Sequence, residues 1–276
     1  MQRTKRIFGN TMKERALRQQ EPEAWIGASA LPALPAPPAP MRLRRYLLGT
    51  LLLSIAIIPA IQSAADIVDF SSGLIKYVSG RFGKDAPSRL YAWQELVREL
   101  KGKEAAELRQ RVARSTDGKA EMAVLRKVND FFNRVPFAED IDHWGVQDYW
   151  ATPVEMLASN GGDCEDYAIG KYFTLKELGV PVERMRITYV TANIRTQGRV
   201  PHMVLAYYPA PDSDPWILDN LIDDISPASR RGDLQPVYSF NDDDIWAGPG
   251  PGKKGGASQV RLWRDVQEKV AREQKM

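Results

Sequence analysis

The 276-residue chain is 43% hydrophobic and 26% charged, with a formal net charge of +3, which is the composition of a folded domain and excludes a chain disordered throughout. Its positive charge is concentrated at the front: residues 1–65 hold nine Lys/Arg against three Asp/Glu, leaving 29 basic and 32 acidic residues beyond. A slightly acidic body, with no basic stripe interleaved with aromatics, excludes a nucleic-acid partner.

In chain order, the first feature is a polar stretch that runs into Leu31-Pro-Ala-Leu-Pro-Ala-Pro-Pro-Ala-Pro40. Residues 1–40 read as a disordered extension or a mis-assigned start ahead of Met41. The cationic Met41-Arg-Leu-Arg-Arg45, the apolar run Leu47 to Ile58, Pro59 and the small residues Ser63-Ala64-Ala65 have the order of a secretory signal peptide over 41–65. The run is shorter than the roughly 20 apolar residues that span a bilayer, which favours cleavage near Asp66 over an uncleaved anchor. Export to the periplasm gives the cysteine count meaning. Cys164 is the single cysteine and has no internal disulfide partner, so it is either a reactive thiol or a small buried hydrophobe.

Residues 66–276 are expected to form one domain. Leu90, Trp93, Val97 and Leu100 predict a helix over 85–101, and further helices are expected over 104–114 and over 120–134, where Met122, Leu125, Val128 and Phe132 share a face. Thr152-Pro153 has the form of an N-cap followed by proline at the first helical position, opening a helix through Leu157. After the turn Asn160-Gly-Gly-Asp163, an apolar helix starts at Cys164 and stops at Gly179. The period then changes to two. Strands are expected over 184–192, 201–208, 216–221 and 236–240, followed by a flexible segment over 242–256 and a closing helix over 260–273. Helices first and an antiparallel sheet afterwards make an α+β protein.

A thiol on the first residue of a helix lies where unpaired N–H groups and the helix dipole favour a thiolate, and where the Cys164 N–H can meet an oxyanion. The two glycines before it leave the front of the sulfur open. Two histidines compete to be its base. His202 lies on a strand 38 residues after the cysteine, and Asp219 follows 17 residues later on the next strand, so antiparallel pairing can bring the two together. His143 lies in an upstream loop with no orienting acid in view. Trp144 and Trp150 are core aromatics or a wall of the cleft.

Asp163, Glu165 and Asp166 crowd the nucleophile. They complement the first helical turn, yet three carboxylates oppose a thiolate. A divalent cation would cancel their field, and ligands that are all oxygen suit calcium, although the spacing is not that of an EF-hand. The pairs Asp223-Asp224 and Asp242 to Asp244 read as solvated loop charges.

The run Gly161-Gly-Asp-Cys164-Glu-Asp-Tyr-Ala-Ile169, with Pro201-His202-Met-Val-Leu-Ala206 and Leu218-Asp219-Asn220, resembles the bacterial transglutaminase-like cysteine protease family. Within it the run resembles periplasmic adhesin proteases of the LapG type. Trp150-Ala-Thr-Pro153-Val-Glu155-Met-Leu157 and Pro236-Val-Tyr-Ser-Phe240-Asn241 extend the likeness over roughly residues 80–246. The resemblance implies a papain/transglutaminase-like core, with the nucleophile helix packed on the sheet. It also implies a Cys164–His202–Asp219 triad, calcium at Asp163, Glu165 and Asp166, and a large repeat adhesin as substrate, cut at a pair of alanines to disperse biofilm. The partner it implies is an inner-membrane cyclic di-GMP receptor of LapD type. From the residues alone, transglutaminase-like acyl transfer, cell-wall peptide amidase action and a non-enzymatic calcium-binding module stay open.

Overall fold

The computed structural model describes residues 66–102, 119–248 and 252–276. The expected extension over 1–40, the signal segment over 41–65 and the helix over 104–114 lie outside the described residues. Helix α1 (Ser72–Phe82) is capped by Ser71, whose hydroxyl accepts the Leu74 N–H at 3.0 Å. It precedes α2 (Ala86–Lys101), which buries Ala86, Leu90, Trp93 and Val97 on one face, as its spacing predicts. Helix α3 (Lys119–Asn133) buries Leu125, Val128 and Phe132. The short α4 (Asp140–His143) comes next, then α5 (Pro153–Ser159). A capping box starts α5: the Thr152 hydroxyl accepts the Glu155 N–H, and Glu155 accepts the Thr152 N–H, both at 3.0 Å.

Helix α6 (Cys164–Glu177) is the spine of the domain. Its residues Glu165 to Leu175 are all buried, because α3 and α5 cover one side and the sheet covers the other. Gly170 is required here, since the Phe132 ring lies where a Cβ would project. Gly179, at φ 85°, turns the chain out of the helix.

The sheet has seven antiparallel strands in the order β4-β3-β2-β1-β5-β6-β7. These are β1 (Met185–Ile194), β2 (Gly198–Tyr207), β3 (Trp216–Leu218), β4 (Ser226–Pro227), β5 (Leu234–Phe240), β6 (Asp244–Ala247) and β7 (Lys253–Gly256). Met185, Ile187, Met203, Leu205, Tyr207, Leu218 and Phe240 face the helices, while Val190, Val204, Ala206 and Ile217 form a smaller apolar layer on the other face. Strand β3 pairs with β2 only at Leu205, Ala206 and Tyr207, so it ends before reaching His202. That early end, instead of a strand through Leu221, frees Asp219 to turn toward β2.

Helix α7 (Arg261–Glu273) closes the chain, with Trp263 and Val266 buried. Trp263 packs against Tyr172 and Phe173 of α6 and Phe240 of β5. The segment over 242–256, expected to be flexible, is instead largely structured. It contains the β6–β7 pair, and Asp242 accepts from Lys176 of α6 and from Gln267 of α7. Glycine and charge mask a strand whose pairing is supplied by the neighbouring β5. The α+β class and the helix-on-sheet core agree with the sequence reading.

Candidate active site

Cys164 is the first residue of α6 and is half-buried. The turn before it is held by a parallel bridge between Phe137 and Gly162, with the Ala138 N–H donating to the Gly162 carbonyl at 2.9 Å. Both glycines are demanded by close packing rather than by access to the sulfur. A Cβ on Gly161 would lie 2.7 Å from His143 Cε1, and one on Gly162 would lie 2.7 Å from Asp166 Oδ2. His143 therefore supports the turn from behind. Its Nε2 lies 2.8 Å from Ser159 Oγ, and burial lowers its pKa.

The Cys164 thiol donates to Glu165 Oε2 at 3.1 Å, and the Met203 backbone amide is near enough to lower its pKa slightly. That amide belongs to the peptide joining His202 to Met203, which puts the thiol on the side of β2 that carries His202. Burial raises the Cys164 pKa well above the usual thiol range, and Glu165 and Asp163 raise it further.

His202 and Asp219 form a buried pair, with Nε2 2.8 Å from Oδ1. Asp219 Oδ1 also accepts the Leu221 N–H at 2.9 Å, and Oδ2 accepts from Arg231 Nη2 at 2.7 Å. Burial alone would raise the Asp219 carboxyl, but hydrogen bonds from His202, Leu221 and Arg231 hold it down to about 2. Asn133 at the end of α3 donates to the Asp219 carbonyl at 2.8 Å, tying this loop to the helices. Behind it, Lys171 of α6 is buried, and burial lowers its pKa to about 7 against the pull of Asp219, Asp223 and Asp130.

The three acids read from the sequence as one metal set belong to a larger cluster. Oxygens of Asp140, Asp163 and Asp166 lie within 4.8 Å of one another, and so do those of Asp140, Asp148 and Glu165. Asp140 joins the two groups. The sequence reading missed Asp140 and Asp148 because they lie in a short helix and a turn far upstream; the acidic run Glu139-Asp140-Ile-Asp142 was the available signal. Burial, then Glu165 and Asp166, push Asp163 up to about 11. Burial raises Asp140 to about 6 and also raises Glu165, Asp166 and Asp148. Asp140 Oδ1 and Asp163 Oδ1 are buried with no hydrogen-bond partner among the described residues. Hard oxygen donors, two of them unsatisfied, fit a calcium ion.

The tryptophans take their core roles. Trp150 is buried and stacks on Phe240 with centroids 5.7 Å apart. Trp144 packs between Phe82, His143 and Tyr149. Arg231 and Lys171, both buried against Asp219, had no signal in the sequence, because only the fold brings them there.

Central helix, antiparallel sheet and a thiol at the helix tip define a cysteine enzyme of the papain/transglutaminase-like class. A family model described as bacterial transglutaminase-like cysteine proteinase matches residues 86–235, and the chain belongs to that family. Among solved structures, Legionella pneumophila LapG treated with EGTA is 37% identical, covering 72% of this chain and 96% of its own, with a TM-score of 0.57. The calcium-bound form of Legionella pneumophila LapG is 36% identical over 73% of this chain and 99% of its own, with a TM-score of 0.55. No curated protein matches the chain.

Proposed function

We propose that this cysteine protease is a calcium-dependent periplasmic endopeptidase in which Cys164 is the nucleophile, His202 the general base and Asp219 the acid that orients it. The observation that carries this reading is the buried His202–Asp219 pair at 2.8 Å, on the strand whose Met203 amide lowers the Cys164 pKa. Asp219 accepts at Nε2, which leaves Nδ1 of the same ring for the thiol proton. His202 then takes that proton as the sulfur attacks a peptide carbonyl, and returns it to the leaving amine as a thioester forms. The Cys164 N–H, at the first turn of α6, is available to the oxyanion.

Asp140, Asp148, Asp163, Glu165 and Asp166 would hold the calcium. Bound there, the ion would supply positive charge that offsets carboxylates opposing the thiolate. The likeness to a calcium-bound LapG supports that assignment. The substrate class we infer is the N-terminal region of a large repeat adhesin, whose release disperses biofilm. An inner-membrane cyclic di-GMP receptor of LapD type is the partner that would sequester the enzyme.

The test is incubation of the purified protein with N-terminal adhesin fragments in calcium buffer, read by mass spectrometry. Wild type is expected to yield two hydrolysed fragments, and Cys164→Ala or His202→Ala none. Asp219→Asn is expected to lose less than the roughly 10⁴-fold seen for the equivalent serine-protease change. Fragments carrying an added amine would instead indicate acyl transfer, and an active Cys164→Ala protein would contradict the assignment.

A further inference from the structure

We propose that Arg231 is a positioning residue of the catalytic machinery, which holds the Asp219 carboxylate ionised and turned so that one oxygen faces His202. The proposal rests on the triad reading above and adds a fourth side chain to it.

The geometry is that of a relay of alternating charge. Asp233 receives Arg231 through two nitrogens: Nε reaches Oδ1 at 2.9 Å and Nη2 reaches Oδ2 at 2.7 Å. This fork fixes the guanidinium plane. The same Nη2 donates to Asp219 Oδ2 at 2.7 Å, while Asp219 Oδ1 meets His202 Nε2 at 2.8 Å. An aspartate carboxylate turns easily about its last torsion, because that torsion has broad, two-fold preferences. With Oδ2 tied to Arg231, and Oδ1 shared between His202 and the Leu221 N–H, rotation breaks at least two bonds at once.

Burial makes the arrangement consequential. Arg231 is 5% exposed and Asp219 1%, so neither charge is replaced by water if its partner is removed. The loop that delivers Arg231 is itself anchored: the Arg231 N–H closes a turn on the Ala228 carbonyl at 2.9 Å, and the Ser229 N–H donates to Asp214 at 3.0 Å. A guanidinium serving only the loop has Asp233 beside it, partly exposed and bonded through Nε and Nη2, while Nη1 is buried with no partner among the described residues. Reaching on to the triad acid is the feature that a loop brace does not need. The charged groups that face Asp219 are His202 from β2, Arg231 and Asp233 from the loop after β4, and Lys171 from α6. Lys171 makes no hydrogen bond to Asp219 of the kind Arg231 makes, so it does not replace the orienting contact.

The test compares wild type, Arg231→Met and Arg231→Lys in calcium buffer. The first readout is the pH dependence of Cys164 alkylation by iodoacetamide, which needs no substrate. Arg231→Met removes a cation from Asp219, so its pKa rises and the acid limb should move to higher pH by about one unit or more. Arg231→Lys restores charge without the fork and should return the limb most of the way. On a cleaved adhesin fragment, Arg231→Met should lower kcat by about 10- to 100-fold with little change in KM. If Arg231→Met does not fold, Arg231→Lys decides alone: a reduced kcat with the acid limb in place supports the proposal, and an unaltered kcat overturns it. A folded Arg231→Met protein with the wild-type limb and kcat, its melting temperature alone lowered, also overturns it. A wild-type thiol with no acid limb contradicts the peptidase reading, and this proposal with it.

Discussion

Cys164 begins a helix, yet its surroundings oppose the charge it needs. Burial, Glu165 and Asp163 all raise its pKa, and the thiol proton points at Glu165 Oε2 rather than being shed. The helix N-terminus contributes on the order of 1 kcal/mol at a site of this kind, too little to offset several buried carboxylates. In the proposed mechanism, a cation held by the acidic cluster would offset this opposition. Asp140 is the most informative member to change, because it bridges both oxygen groups and has one oxygen without a partner among the described residues. Asp140→Asn should weaken calcium binding about 10-fold or more by calorimetry, with activity recovering as calcium is raised. Unchanged affinity would remove Asp140 from the ligand set. At this scale the sequence displayed Cys164, His202 and Asp219 and the three acids flanking the thiol, because they lie at one helix tip, on one strand and just past the end of the next. Asp140, Asp148, Arg231 and Lys171 were hidden, since each reaches the site only through tertiary folding.

Helix α7 clamps the loop that borders the acidic cluster. Lys269 donates to the Trp150 carbonyl at 2.6 Å and to Glu155 Oε2 at 2.8 Å, and Thr152 Oγ1 donates to Glu273 Oε1 at 2.6 Å. The adjoining Ala151 N–H donates to Asp166 Oδ1 at 2.7 Å, so the clamp reaches the cluster through one residue. Burial raises Glu273 from 4.5 to about 8, against the Thr152 hydrogen bond that lowers it. An unfolded chain ionises this carboxyl near 4.5, so the stability linked to its protonated form is complete below that pH. It is lost as the pH climbs through about 8. Melting curves should show Glu273→Gln and wild type diverging between pH 4.5 and 8 in favour of the glutamine, with a constant gap above. A gap independent of pH would place Glu273 in water. Elements with strong periodicity, such as α2, or with clear end signals, such as α5 and α6, were legible within a residue or two, as was α7. The β6–β7 pair was not, because Lys253-Lys-Gly-Gly256 carries no strand pattern and depends on β5 for its partner.

For the molecule as a whole, the fold explains how one helix tip comes to carry both the thiol and the acidic cluster. Helix α6 is buried on all sides, so its first turn cannot move independently of the sheet that carries His202. The turn over Gly161–Asp163 is held by Phe137 and Ala138 on one side and by Asp166 on the other. A change of charge in the cluster is therefore felt at the sulfur rather than absorbed by a loose loop. The class was legible because helices precede strands along the chain, and the family was legible because its motif lies in a contiguous run around Cys164. The arrangement of Asp219 between His202 and Arg231 was not, since it depends on β3 ending at Leu218.

The central claim is that Cys164 is a nucleophile whose reactivity depends on a cation held by the neighbouring acids. It is tested most directly by the rate of Cys164 alkylation against pH, in calcium and in EGTA. The chain has one cysteine, so the mass of the intact protein reads the site without ambiguity. In calcium, iodoacetamide should label Cys164 well below about pH 8, as an activated thiolate does. In EGTA labelling should fall and shift to alkaline pH, with calcium restoring it and magnesium doing so poorly because of its stricter geometry. Labelling that is slow below pH 8 and identical in calcium and EGTA would contradict the account, leaving Cys164 a buried hydrophobe and the acids ordinary charges of a first helical turn.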